Sequence, residues 1–93
     1  MNTAVANSET AILSRAIEPE SSTLSPEAAR SILQITLSEA DCRRLDELAA
    51  KTREDSLTPD ERVELDNYRS VGRLLELMQS KARLSLKKAP GHA

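Results

Sequence analysis

Cys42, His92 and fifteen Asp and Glu residues are the side chains of this sequence that could carry chemistry. A single Cys and a single His exclude a disulfide framework and a self-contained zinc site, because each needs several such ligands. His is the usual recruit for general acid–base catalysis, but His92 stands in a Pro90-Gly91-His92-Ala93 tail, where chain ends fray. Gly72 and Gly91 are the only glycines, so no Gly-rich phosphate loop can be assembled. Nearly all carboxylates fall at helix starts or on faces expected to be solvated, where capping and i,i+4 pairing account for them. Cys42 reads as a small buried apolar group rather than a nucleophile. The inventory predicts no enzyme, no metal, no cofactor and no small-molecule substrate. What remains is binding, and binding depends on the elements that present a surface.

The 93 residues, 39% hydrophobic and 30% charged, suffice for one small domain. Tyr68 is the only aromatic residue, so the core must be built from Leu, Ile, Val, Met and Ala. The net charge of -2 is unevenly spread. Residues 1–50 carry four basic against eight acidic side chains, and residues 51–93 carry nine against seven. From Arg69 onward Glu76 is the only acid among Arg69, Arg73, Lys81, Arg83, Lys87 and Lys88. Such a basic end can contact nucleic acid, or it can complement a helix dipole. No apolar run exceeds three residues, far short of the roughly 20 that cross a bilayer, so no membrane association is expected. The acidic start lacks the pattern of a secretory signal, and a cytoplasmic location is expected.

Helix signals divide the chain into a flexible segment 1–23, a helical domain 24–88 and a disordered tail 89–93. In the first segment Ser8 caps a short amphipathic helix, Glu9 to Ile17, which Glu18-Pro19 should stop. Ser25-Pro26-Glu27 opens a second helix. Beyond Leu33 two readings stand: an extended link, or a short strand at 33–37 in which Leu33, Ile35 and Leu37 alternate with Gln34 and Thr36. Ser38 caps a third helix whose inner face is Leu45, Leu48, Ala49 and Thr52, with Glu39–Arg43 and Glu47–Lys51 as i,i+4 pairs. Thr58-Pro59-Asp60-Glu61 is the strongest local signal, combining an N-cap, a first-position proline and a capping-box glutamate.

From Pro59 no breaker other than Gly72 occurs before Pro90, so a helix to Lys88 of about 30 residues and about 45 Å follows. The fold expected is all-α, with this long helix as scaffold and the shorter helices packed along its first half. Tyr68, Val71, Leu75, Met78 and Ala82 recur three and four apart, as in a coiled-coil seam. Leu74, Leu77 and Leu84 lie on other faces, so the helix is apolar over more than one stripe. The surplus is a surface for a protein partner or a second copy. Its expected contact residues are Tyr68, Val71, Leu74, Leu75, Leu77, Met78, Lys81 and Arg83. Tyr68 is expected to anchor the seam with its hydroxyl reaching water. Gly72 is either tolerated or present to let another backbone approach.

Two resemblances follow from quoted stretches. Leu33-Gln34-Ile35-Thr36-Leu37-Ser38 and the helix after it resemble the opening of ribbon-helix-helix repressors. That resemblance implies a DNA-binding regulator whose paired strands enter the major groove, with Gln34 and Thr36 reading bases. The stretch contains no Arg or Lys, and the helix after it is longer than in that family. Independently of that resemblance, the basic end of the C-terminal helix offers Lys87 and Lys88 for phosphate contacts. Separately, Ser25-Pro26-Glu27-Ala28-Ala29-Arg30-Ser31-Ile32-Leu33, Leu57-Thr58-Pro59-Asp60-Glu61-Arg62, Glu64-Leu65-Asp66-Asn67-Tyr68, Val71-Gly72-Arg73-Leu74-Leu75 and Gln79-Ser80-Lys81-Ala82-Arg83 resemble a group of short bacterial proteins of an antitoxin-like or nuclease-accessory kind. That resemblance spans most of residues 11–88 and implies a non-enzymatic subunit that binds a nuclease.

Overall fold

The computed structural model describes residues 7–89, which include four helices and no strand. They are α1 (Glu9–Ile17), α2 (Pro26–Leu33), α3 (Glu39–Arg53) and α4 (Pro59–Lys87). The all-α fold with its long C-terminal helix is as the sequence predicts. The sequence expectations for His92 and the end of the tail lie outside the described residues.

Each start is set by a side chain that satisfies an orphan N–H of the first turn. Ser8 Oγ accepts from the Ala11 N–H and Ser25 Oγ from the Ala28 N–H, both at 3.1 Å. Ser38 Oγ accepts from the Asp41 N–H and also donates to Asp41 Oδ2 at 3.0 Å. Thr58 and Glu61 form the reciprocal capping box, with both bonds at 3.1 Å. The stops are equally local. Glu18 adopts a left-handed conformation before Pro19 and returns its N–H to the Ser14 carbonyl. At the end of α3, Asp55 has φ 55°, its N–H bonds to the Thr52 carbonyl, and the Ser56 N–H bonds to the Lys51 carbonyl. That pair of bonds is a Schellman ending, with Asp in the position Gly usually takes.

The strand reading of 33–37 is overturned. The Gln34 and Ile35 N–H groups bond to the Ser31 and Ile32 carbonyls, and the Ile35 carbonyl accepts from Gln79 Nε2 at 2.9 Å. The Ile35 N–H is spent in a turn and its carbonyl is held by a side chain, so neither makes a ladder bond, and the segment is an irregular link.

The chain forms two compact units. The first combines residues up to Ile35 with residues from Arg73 onward, so α1 and α2 belong with the second half of α4. The sequence expectation of shorter helices along the first half of α4 holds for α3 and fails for α1 and α2; periodicity marks an apolar face without saying which segment covers it. Ala29 and Ala82 are fully buried here, and the Leu24 N–H donates to the buried Ser85 hydroxyl at 3.2 Å. The second unit, Thr36–Gly72, is a helical hairpin of α3 and the first half of α4, with Leu48 and Leu65 buried. Leu45 and Ala49 are half-buried, whereas Thr52 is exposed and returns its hydroxyl to the Leu48 carbonyl. Cys42 is exposed rather than buried, because it sits in the first turn of α3 with Sγ 3.9 Å from the Leu37 carbonyl. Among the described residues, a side chain at Gly72 would meet nothing within 4 Å beyond its own helix turn, so no described neighbouring backbone needs the glycine.

Candidate functional site

Within the helical hairpin, charge is concentrated between α3 and α4. Arg44 sits on α3 where its guanidinium grips Glu64 through Nε and Nη2, both at 2.8 Å. The same side chain reaches Glu47 at 3.1 Å and Glu61 at 3.3 Å. Lys51 adds a 2.5 Å contact to Glu61. Arg44 holds Glu64 below its ordinary carboxylate value, and Lys51, aided by the Thr58 N–H, brings Glu61 down to about 2. Arg44 is stabilised in its charged form by the same bonds. Lys51 and Glu47, expected to pair with each other, are thus engaged elsewhere; the i,i+4 rule cannot see a partner on another helix. Glu39 and Arg43 do pair, at 2.8 Å.

One turn further along α4, the Tyr68 hydroxyl donates to Asp41 Oδ1 at 2.6 Å instead of reaching water. Ser38 already bonds the other carboxylate oxygen. These hydroxyls lower the Asp41 pKa, the Tyr68 bond most, and the bond pushes Tyr68 up to about 12 from an ordinary 10.0. Leu37, Asp41, Glu64, Asn67, Tyr68 and Val71 line an open groove of about 300 Å³ beside this pair. As the only aromatic residue, Tyr68 can be followed alone by tyrosinate absorbance. Its ionisation midpoint is expected near 12 and should fall back toward 10 in Asp41→Asn. Because the folded value is the raised one, the stability this bond lends is complete below pH 10 and is lost as pH rises through 12.

In the other unit, α1 lies along the second half of α4. Lys81 Nζ donates to the Ile17 carbonyl at 2.6 Å, placing an ammonium at the negative end of α1. Ala16, Ile17, Leu24, Ile32, Met78 and Lys81 line a groove of about 230 Å³. A wider one of about 620 Å³ runs between Ser8, Thr10, Ala11 and Ser14 on one side and Arg73 and Leu77 on the other. The helix therefore turns small and polar residues inward. Ile12 and Leu13 are 49% and 42% exposed, and α1 has no buried residue.

The residues expected to bind a partner are divided by this architecture. Tyr68 and Val71 belong to the hairpin, with Val71 44% exposed. Leu74, Leu75, Leu77, Met78, Lys81 and Arg83 belong to the other unit, where all but the exposed Arg83 are half-buried. Gln34 and Lys87 and Lys88 are exposed in that same unit, and Thr36 is exposed in the hairpin. The contacts of Arg44 with Glu61 and Glu64, that of Lys51 with Glu61 and the Asp41–Tyr68 bond are absent from the sequence reading, since each joins residues 10 to 27 apart. Among the described residues no group of three His, Cys, Asp or Glu could hold a metal ion. No described helix is long and apolar enough to cross a membrane. The chain matches no family model, no curated protein and no solved structure.

Proposed function

We propose that this chain is a non-enzymatic, cytoplasmic protein-binding module, antitoxin-like or an accessory subunit of a bacterial nuclease system, acting through the second half of α4. Leu74, Leu75, Leu77 and Met78 supply the apolar contact, and Lys81 and Arg83 supply charge at its edge. The observation that carries this reading is the way α1 covers that face: a nine-residue helix with no buried residue over Leu77, Met78 and Lys81. A helix that short is marginal by itself, and one so shallowly packed is readily exchanged for a longer apolar helix of a partner. α1 then acts as a removable cover that keeps the face from non-specific association.

The test substitutes a charge into the face. Burying an unpaired carboxylate costs several kcal/mol, so Leu74→Asp and Leu77→Asp should each weaken partner capture by at least about tenfold. Pull-down from native lysate, with quantitative mass spectrometry, reads the loss, and far-UV circular dichroism checks that helix content persists. Unchanged capture by both variants would place the interface elsewhere.

A further inference from the structure

The helical hairpin carries a second surface, on residues that the α4 reading does not use. Thr36–Gly72 holds ten Asp and Glu against six Lys and Arg, a net charge of -4. Part of the acidity is neutralised locally, since Glu47, Glu61 and Glu64 are paired with Arg44 and Lys51. Asp41 differs. Among the described residues its carboxylate is held by the hydroxyls of Tyr68 and Ser38 and by no cation, so its negative charge is fixed in place without being cancelled. It stands on the groove with Leu37, Tyr68 and Val71, and Val71 is 44% exposed although it is aliphatic.

We propose that this groove docks a basic amphipathic segment of another protein, seating an Arg or Lys side chain against Asp41. The fit is one of chemistry and size. An Arg or Lys stem is apolar and packs on Leu37 and Val71, while its charged head stays at the rim. The Tyr68 ring adds attraction for a cation near its face. The space of about 300 Å³ is at the small end of ligand pockets, which suits side chains of a docked segment rather than a whole cofactor. An acidic segment would meet Asp41 and the surplus charge of the hairpin and be repelled. The Asp41–Tyr68 bond fixes the carboxylate before binding, so little ordering is left for the encounter.

The probes are two synthetic amphipathic peptides of equal length, one with Arg and Leu at i,i+4 spacing and its twin with Glu in place of Arg. Each is titrated into the isotope-labelled full chain and followed by NMR. The proposal expects the Arg peptide to shift Leu37, Asp41, Asn67, Tyr68 and Val71, with affinity falling as salt rises. Asp41→Asn and Val71→Lys should each weaken it at least tenfold. Val71→Lys changes an exposed helix position, so its loss cannot be ascribed to unfolding. Leu77→Asp should bind the peptide as the unaltered chain does, which separates this surface from the one on the second half of α4. Equal binding of the Glu peptide, or undiminished binding by both hairpin variants, would overturn the proposal. So would shifts confined to residues 74–83. Self-association of the unliganded chain that Asp41→Asn abolishes would assign the groove to a second copy and overturn it as well.

Discussion

Leu48→Ala should destabilise the chain by about 2–5 kcal/mol, the range for emptying a fully buried leucine site. Among the described residues Leu48 is the largest side chain with no exposure, and it sits on the inner face of α3. Its truncation removes apolar contacts and leaves a cavity that flanking helices close only in part. A chain of this length has a total stability of about 5–14 kcal/mol, at 0.05–0.15 kcal/mol per residue. The loss is therefore a large fraction of the whole. Chemical denaturation followed by circular dichroism should show a lower midpoint with an unchanged slope. A change below about 1 kcal/mol would mean that the hairpin core does not depend on Leu48.

Ser14→Pro should have a similarly large effect that stays local. Proline within a helix removes one hydrogen bond and clashes with the preceding turn, at a cost of about 3 kcal/mol or more. Ser14 is central to α1, and α1 has no buried residue to offset that cost. The variant should lose the helical signal of α1 alone, keep the denaturation midpoint of the rest, and bind more of a dye that reports exposed apolar surface. It should also bind the α4 partner more tightly, because the closed form no longer competes with the partner for the face. A drop in global stability comparable to that of Leu48→Ala would show that α1 is part of the core.

The contrast between these variants tracks what is legible in the sequence. Ser8, Ser25-Pro26, Ser38 and Thr58-Pro59-Glu61 mark the starts of the four described helices, because a cap and its target N–H are three residues apart. The long α4 and its excess of apolar stripes are equally readable from periodicity. Pairings across the fold are not. Arg44 with Glu64 and Asp41 with Tyr68 depend on how α3 returns against α4, which no local pattern encodes. The ambiguity at 33–37 had the same origin: alternation permits a strand, and the Gln79 side chain at the Ile35 carbonyl decides against one. The apolar faces of α4 were visible, but the segment that covers the Leu77 face was not. The reason is that α1 meets it with Thr10, Ala11 and Ser14 rather than with its own largest apolar residues.

Whether α1 is a removable cover is the point on which the functional reading turns, and native-state hydrogen exchange of the full chain measures it. If α1 opens independently, the amides of Ile12 to Ile17 should exchange at least about 100-fold faster than those of Leu48, Leu65 and Ala82, a gap of about 2.7 kcal/mol in opening free energy. Protection of the α1 amides equal to that of Leu48 and Ala82 would contradict the account, because a helix that opens only when the whole chain unfolds cannot yield its place to a partner.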